Sequence, residues 1–201
     1  MSASIDFYFD FSSPYGYLAS EKIEAMAALH GCTVDWYPIL LGVIFKQTGA
    51  APLTMIPLKG DYSKRDMPRS ARFHGVTDFH MPSKFPIPSQ APARIVLWQK
   101  QHDAALVATV VHALYRAFFV DDNDISVPEN AVAVAAKCGV DAATARAAID
   151  DPAIKDALKQ ANDEAIARGV FGSPFIIVDG EPFWGMDRFD QVERWLATGG
   201  W

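Results

Sequence analysis

Residues 4–15, Ser-Ile-Asp-Phe-Tyr-Phe-Asp-Phe-Ser-Ser-Pro-Tyr, contain the junction that decides the fold of this chain. Large apolar residues occupy every second position, which predicts a strand over 4–11 with one buried face. Ser13 then precedes Pro14, an order typical of a helix start, because serine caps a first turn and proline fits its first position. The stretch therefore predicts a strand that leads directly into a helix.

The sequence that follows extends this junction into a β-α-β unit. A helix is predicted over 15–30, where apolar residues form one stripe, and Gly31 ends it. A strand is predicted over 33–37. A strand, a crossover helix and a second strand favour a parallel pair with a right-handed connection.

The middle of the chain is predicted to be helical, with hardly a convincing strand from about Tyr62 to Ala167. Four prolines make 79–92 an extended loop, and Lys59 lies in an earlier loop rich in proline and glycine. Amphipathic helices are predicted over 63–74, interrupted or restarted at Pro68, and over 93–118, 129–137, 141–149 and 153–168.

The C-terminal part returns to strands. They are predicted over 175–178 and 181–184, joined by Asp179-Gly180, a turn typical of tight hairpins, and a final helix is predicted over 188–197. The order β-α-β, helices, β-β-α predicts an α/β fold of thioredoxin-like topology with a large all-helical insertion. We expect two domains: a discontinuous thioredoxin-like domain of residues 1–60 and 169–201, and a helical insertion domain of residues 61–168.

Composition excludes several classes of protein. The 201 residues carry a formal net charge of -6 with a pI near 5.3, which argues against a nucleic-acid partner because phosphate binding needs a clustered basic face. No apolar run could span a bilayer, and Met1–Asp6 lacks the features of a secretory signal, so a cytoplasmic protein is expected. Two cysteines, Cys32 and Cys138, exclude a disulfide scaffold, and the histidines give a metal site little support.

The helix start at Ser13 is the first candidate functional position. Unsatisfied N–H groups at a helix N-terminus favour an anion or a thiolate. Because Ser13-Pro14-Tyr15-Gly16 contains no cysteine, Cys-x-x-Cys redox chemistry is excluded there. One interpretation is that Ser13 only caps the helix; the other is that its hydroxyl donates a hydrogen bond to a thiolate supplied by a bound cofactor.

Three further positions allow both a structural and a functional interpretation. Proline before a strand needs a special geometry, and a cis bond at Ser173-Pro174 would let the Ser173 backbone pair with a peptide-like ligand. Asp187 either caps the last helix or holds an α-amino group. Lys59 is either solvated or meets a ligand carboxylate as a point charge.

The chain resembles the 2-hydroxychromene-2-carboxylate isomerases, which are related to kappa-class glutathione transferases and more distantly to DsbA. The resemblance covers essentially the whole chain. It is carried by Asp6-Phe7-Tyr8-Phe9-Asp10-Phe11-x-Ser13-Pro14-Tyr15, x-Tyr17-Leu18-Ala19, Lys59-Gly60-Asp61-Tyr62, Gly169-Val170-Phe171-Gly172-Ser173-Pro174 and Phe183-Trp184-Gly185-Met186-Asp187-Arg188.

The resemblance implies a glutathione-dependent enzyme that interconverts 2-hydroxychromene-2-carboxylate and trans-o-hydroxybenzylidenepyruvate in the catabolism of aromatic hydrocarbons. The implied mechanism is reversible addition of the glutathione thiolate to the conjugated carbon, ring opening, bond rotation and elimination. The implied partners are a small aromatic or chromene-type carboxylate and a second copy of the chain, because the family usually forms dimers.

By the same resemblance, glutathione would be bound by Ser13, Pro14, Tyr15, Lys59, Ser173, Pro174, Met186 and Asp187. Ser13 would be the catalytic residue, since it would hydrogen-bond the glutathione sulfur and favour its thiolate. Lys59 would meet a glutathione carboxylate, and the Ser173 backbone would pair with the cysteinyl part. Met186 and Asp187 would receive the γ-glutamyl end.

One position departs from the family pattern and leaves alternatives open. The family commonly carries asparagine where this chain has Ala50, in Thr48-Gly49-Ala50. Alanine offers no amide, and loss of a neutral hydrogen bond costs about 0.5–1.5 kcal/mol, which would weaken glutathione binding without abolishing it. The alternatives are a kappa-like glutathione transferase or peroxidase, with Ser13 in the same role, and a non-catalytic thiol-binding module of thioredoxin-like fold.

Overall fold

The computed structural model of the protein describes residues 4–201, and residues 1–3, part of the Met1–Asp6 segment considered above, lie outside the described residues. The strands are β1 (Ser4–Phe9), β2 (Thr33–Pro38), β3 (Phe175–Val178) and β4 (Glu181–Trp184). The α-helices are α1 (Pro14–Leu29), α2 (Leu41–Thr48), α3 (Lys59–Phe73), α4 (Gln90–His102), α5 (Val107–Phe119), α6 (Pro128–Lys137), α7 (Ala142–Asp150), α8 (Pro152–Ala167) and α9 (Phe189–Thr198). Short 3-10 turns span Leu53–Met55, Ala104–Leu106 and Met186–Arg188. Within the described part of the chain, none of the helices has the length and apolar character needed to cross a membrane.

The four strands form one mixed sheet in the order β2-β1-β3-β4. β1 pairs in parallel with β2, so that Phe7 lies opposite Trp36, and it pairs antiparallel with β3, so that Phe7 also lies opposite Ile176. β3 and β4 form the predicted hairpin, and Asp179 and Gly180 both take positive φ in its turn. The thioredoxin-like α/β topology predicted from the order of the elements is confirmed.

Both faces of the sheet are covered. On one face, Ile5, Phe7 and Phe9 are fully buried in the main core, which also contains apolar residues of α1 and α5. The opposite face buries Tyr8 and Phe175 in a smaller cluster to which α2 and α8 contribute. Because a strand exposes alternate residues to opposite faces, the predicted alternation along β1 fixes which residues face α1. The division into two domains stays a prediction.

The single helix predicted over 93–118 is wrong. The structure has two helices, α4 and α5, separated by the 3-10 turn Ala104–Leu106. Asp103 causes the break: its backbone leaves the helical region, with φ at -150°, and its carboxylate accepts the N–H of Ala105 at 3.2 Å. Aspartate competes in this way for backbone donors, which favours caps over helix interiors.

The stretch between β2 and the proline-rich loop also differs from its prediction. α2 was not predicted; it has only 8 residues and ends at Gly49 in the left-handed conformation. α3 begins at Lys59, so this lysine lies in a helix rather than in a loop. The helix also continues through Pro68, which has no N–H to donate. The carbonyl that loses this donor belongs to Lys64, an exposed residue, so water can take the place of the missing N–H.

Candidate active site

Ser13 is the capping residue of α1. Its Oγ accepts the N–H of Gly16 at 3.0 Å and donates to the carbonyl oxygen of Ser173 at 2.8 Å. The residue is only 4% exposed, so both hydrogen bonds are shielded from water. Ser13 therefore caps α1, and the same hydroxyl also joins two segments that are far apart in the sequence.

The loop before β3 forms the opposite side of the site. The Ser173–Pro174 peptide bond is cis, so the special geometry that the sequence indicated at this proline is present. The Oγ of Ser173 accepts the N–H of Asp10 at 3.0 Å, while its carbonyl accepts the hydroxyl of Ser13. These two hydrogen bonds place the cis-proline loop against the N-terminus of α1.

Gly16 marks a close approach between α1 and its neighbours. A Cβ atom on Gly16 would lie 2.7 Å from the hydroxyl of Tyr115 and 2.8 Å from the Oγ of Ser173. Tyr115, in α5, is fully buried and donates its hydroxyl to the carbonyl oxygen of Asp10 at 2.9 Å. Burial and the charge of Asp10 raise the pKa of Tyr115 well above its usual value, so this hydroxyl remains a donor. No local pattern connects Tyr115 with the first strand, and sequence reasoning missed it.

Asp10 is a buried carboxylate three residues before Ser13. Its Oδ1 accepts the N–H of Ser12 at 2.7 Å, and its Oδ2 accepts the N–H of Leu41 at 2.6 Å. Burial raises the pKa of Asp10 even though these N–H groups and the Ser89 side chain stabilise the charged form. Asp10 therefore fixes the start of α2 to the turn before α1. The only sequence signal for it was a charged residue at the end of an apolar strand.

The loop Gly185–Arg188 reaches the same region through one backbone contact. Gly185 donates its N–H to the carbonyl oxygen of Pro174 at 3.0 Å. The side chain of Met186 is buried in the core, whereas the carboxylate of Asp187 is exposed and lies 3.2 Å from the guanidinium of Arg188. The interpretation of Asp187 as a cap of the last helix is wrong, because no side chain caps α9 and its N-terminal position is Arg188.

Lys59 lies at the N-terminal end of α3 with its side chain exposed. Within residues 4–201, no hydrogen bond or ion pair joins it to Ser13, Ser173 or Asp187. α3 nevertheless contacts the site through Asp66, whose Oδ2 accepts the hydroxyl of Tyr15 at 2.6 Å. Burial and the neighbouring Asp66 raise the pKa of Tyr15, so its hydroxyl keeps its proton. Ala50 is exposed just after the end of α2.

This arrangement favours an anionic ligand and lacks a nucleophile of its own. Pro14 has no N–H, the Tyr15 N–H has no acceptor within the described residues, and the first turn of α1 contains no acidic residue. No histidine of the described chain hydrogen-bonds Ser13, so the serine lacks the base that a nucleophilic hydroxyl needs. Among residues 4–201, no three His, Cys, Asp or Glu side chains lie together in a way that could hold a metal ion.

Comparison with known proteins gives the family. A family model described as a DSBA-like thioredoxin domain matches residues 4–197. The 2-hydroxychromene-2-carboxylate isomerase of Sphingobium xenophagum is 30% identical over 200 residues, which cover 98% of this chain and 99% of that protein. Glutathione S-transferase kappa 2 of Caenorhabditis elegans is 27% identical over 206 residues, which cover 96% of this chain and 91% of that protein.

The fold comparison agrees with the sequence comparison. A solved structure of a 2-hydroxychromene-2-carboxylate isomerase matches with a TM-score of 0.85 and 26% identity, covering 96% of this chain and 94% of that one. Both the order of elements and their arrangement are therefore shared over nearly the whole chain. The protein belongs to the DsbA-like thioredoxin-domain family, in the group that contains the 2-hydroxychromene-2-carboxylate isomerases and the kappa-class glutathione transferases.

Proposed function

We propose that this protein is a glutathione-dependent isomerase that interconverts 2-hydroxychromene-2-carboxylate and trans-o-hydroxybenzylidenepyruvate. The observation that carries the proposal is the placement of Ser13, a nearly buried hydroxyl at the N-terminus of α1 and beside Pro174. Backbone N–H groups and the helix dipole stabilise negative charge at such a position. The isomerase relative from Sphingobium xenophagum supports the same reaction, because its similarity extends over 98% of this chain.

When bound, glutathione would supply a thiolate, the nucleophile for reversible addition to the conjugated carbon of the substrate. The contribution of Ser13 would be a hydrogen bond to the sulfur. Its hydroxyl hydrogen points at the Ser173 carbonyl and would turn toward the sulfur when the site is filled. This exchange is favourable because a hydrogen bond to an anion is roughly twice as strong as one between neutral groups. The N–H of Gly16 would hold the Oγ in place throughout.

The cis-proline loop offers the backbone groups that an extended tripeptide needs. The N–H of Ser173 has no acceptor within the described residues, so it is available to the cysteinyl part of glutathione. The carbonyl of Pro174 is already engaged by Gly185, which keeps the loop in position. Pro14 and Tyr15 would border the sulfur, since they follow Ser13 directly.

The two ends of glutathione would meet charged groups of opposite sign. The Asp187 side chain is 73% exposed and, within residues 4–201, is paired with Arg188 alone, so its carboxylate would also be accessible to the α-amino group of the γ-glutamyl end. Met186 would contribute its backbone, because its side chain is buried. The exposed ammonium of Lys59 would meet the glycyl carboxylate. Ala50 offers no amide to this end, and the expected affinity is correspondingly weaker.

A kappa-like glutathione transferase or peroxidase is the second candidate function. The observation that favours it is the 27% identity with a kappa-class transferase over 206 residues. Both activities would use the same thiolate site at Ser13. The isomerase and the transferase differ in whether the thiolate leaves the electrophile again or remains joined to it.

We further propose that the enzyme is cytoplasmic, acts on a small aromatic carboxylate in aromatic catabolism and forms a homodimer, as the resemblance of the sequence to the isomerase family implies. The dimer is checked by light scattering coupled to size-exclusion chromatography. A mass of one chain at micromolar concentration would contradict the dimer without bearing on the reaction. The mass of a single chain is 22.0 kDa.

The experiment that tests the function is a calorimetric titration with reduced glutathione, followed by an absorbance assay of isomer conversion. Saturable binding together with conversion of one isomer into the other is the expected result. Accumulation of a glutathione conjugate with a generic electrophile, without isomer conversion, would favour the transferase. Binding without any turnover would indicate the non-catalytic thiol-binding module, and no binding at millimolar glutathione would contradict all three.

A further inference from the structure

Four side chains beside the candidate site form a connected group, here called the Asp66 cluster: Tyr15, Tyr62, Asp66 and Arg69. The last three lie on one face of α3, because residues three or four apart share a helix face. Asp66 accepts the hydroxyl of Tyr15 at 2.6 Å and the hydroxyl of Tyr62 at 3.2 Å, and it also accepts the guanidinium of Arg69. Asp66 therefore links the first turn of α1 to an arginine of α3.

Arg69 is anchored through one of its three guanidinium nitrogens. One terminal nitrogen, Nη2, binds Asp66 and also donates to the Tyr62 hydroxyl at 2.9 Å. The Nε and Nη1 groups have no partner within the described residues, and the side chain is 56% exposed. The guanidinium carbon lies 5.5 Å from the centre of the Tyr62 ring, which adds a cation–π contact to these hydrogen bonds. An arginine anchored at one nitrogen, with further N–H groups free, is a preorganised receptor for a carboxylate.

The protonation states keep this receptor positively charged and oriented. Burial alone would raise the pKa of Asp66, but the hydrogen bonds from Tyr15, Arg69 and Tyr62 outweigh it and lower that pKa. Asp66 is therefore ionised at neutral pH and its hold on the guanidinium is a charge-assisted hydrogen bond.

The cluster is joined to the N-terminus of α1 through Tyr15, which follows Ser13 by two residues. Tyr15 is half-buried and its hydroxyl donates to Asp66, so its ring would lie between a sulfur bound at Ser13 and the rest of the Asp66 cluster. A flat substrate that extends along this ring would bring its far end toward Arg69. α3 also carries five lysines and arginines against two aspartates, in a chain whose net charge is -6, so this helix attracts anions to this side of the protein.

We propose that Arg69 is the residue that selects a carboxylate-bearing electrophile, with Asp66 and Tyr15 as the positioning residues that orient it. The inference rests on the proposed function, because it names the residue that recognises the carboxylate of the substrate proposed for the same site. The carboxylate would accept hydrogen bonds from the free N–H groups of Arg69, while the conjugated part of the molecule lies beside Tyr15. An uncharged ester of the same shape would lack the negative charge that the guanidinium attracts, so its binding would depend little on Arg69.

The test compares trans-o-hydroxybenzylidenepyruvate with its methyl ester, in the presence of glutathione, for the wild-type protein, Arg69→Gln and Arg65→Gln. Arg65 is the matched control, since it lies on the same helix, is exposed and has no side-chain partner in the described residues. Arg69→Gln should raise KM for the acid about tenfold or more and change KM for the ester less than twofold. Arg65→Gln should leave both substrates near the wild-type values. Melting temperatures are compared to show that each variant is folded.

Each other outcome is decisive. Equal loss on acid and ester would show that Arg69 acts only through the shape of the site, and no change on either would show that it makes no contact; both overturn the proposal. Weaker glutathione binding in Arg69→Gln would place the carboxylate on glutathione and would also overturn it.

If the wild-type protein converts neither substrate, the proposed function fails but the inference is still tested. Calorimetric titration with the acid alone then decides it. Binding that Arg69→Gln abolishes and Arg65→Gln preserves would support the carboxylate receptor. Absent binding, or equal binding by all three proteins, would overturn it.

Discussion

Ser13 donates its hydroxyl hydrogen to the backbone carbonyl of Ser173, 2.8 Å away in space and 160 residues away in sequence. The same oxygen caps α1 by accepting the N–H of Gly16. One small side chain therefore caps the N-terminus of α1 and also holds that helix against the cis-proline loop. Its loss should affect local stability and site geometry together.

Replacing Ser13 by alanine removes both hydrogen bonds. We expect a loss of about 1–3 kcal/mol in the free energy of unfolding, because a lost cap costs about 0.5–2 kcal/mol and an unpaired buried carbonyl adds to it. Turnover should fall much further, since the thiolate loses its donor. Urea denaturation and the isomerase assay measure the two effects.

Asp141→Ala is the control for the Ser13 variant, because Asp141 caps α7 by accepting the N–H of Thr144 at 2.8 Å and lies outside the site. It should cost a similar cap energy and leave turnover unchanged. Full activity of Ser13→Ala would show that the serine is only a cap.

Replacing Ser13 by cysteine converts the site into a direct probe of its own electrostatics. The thiol pKa should lie below the ordinary value of about 8.5, because the N–H of Gly16 and the N-terminus of α1 both favour a thiolate. The rate of alkylation by iodoacetamide as a function of pH measures it. The wild-type protein, with half-buried Cys32 and Cys138, supplies the background rate. A pKa at or above 8.5 would contradict an anion-favouring site.

Gly16→Ala should destabilise the protein even though alanine is a better helix former. The new Cβ would lie within 3 Å of two hydroxyl oxygens, those of Tyr115 and Ser173, and such overpacking typically costs about 1–3 kcal/mol. The opposite sign is expected for Gly42→Ala in α2, where nothing lies within 4 Å, with a gain of up to about 1 kcal/mol. Chemical denaturation of both variants checks the pair, and a stabilised Gly16→Ala would show that the close approach is not rigid.

The pH dependence of stability should contain a contribution from His112. Its Nε2 lies 2.6 Å from Glu24 and its Nδ1 3.6 Å from Glu21. Burial acts to lower the pKa of His112, but these two carboxylates outweigh burial and raise it above 6.5. Because the folded-state pKa is the higher one, the stabilisation is complete below about pH 6.5 and is lost as the pH rises through the folded-state pKa.

The measurement is the free energy of unfolding of the wild-type protein and His112→Gln at pH 5.5 and pH 8.5. The difference between the two proteins should be larger at the lower pH, since only the charged imidazole gains from the glutamates. An equal difference at both pH values would mean that His112 contributes only through packing against Trp36. The centres of the two rings lie 5.5 Å apart.

Short-range signals account for what could be predicted. The alternation along β1, the cap at Ser13 and the Asp179-Gly180 turn each depend on residues that are neighbours in the chain, so the sequence contains the whole cause. The predictions fail where a local rule competes with another one. Asp103 breaks an apolar periodicity that runs on either side of it, and α3 extends through Pro68 although proline is a helix breaker.

By itself, the sequence determined the order of the four strands, the topology that this order allows and the absence of Cys-x-x-Cys chemistry at the start of α1. Tertiary structure alone decided which groups meet there. The contacts of Ser13 with Ser173, of Tyr115 with Asp10 and of Tyr15 with Asp66 join residues 160, 105 and 51 positions apart. No local propensity encodes such contacts, because they arise only when burial of the shared core brings the helices and the sheet together.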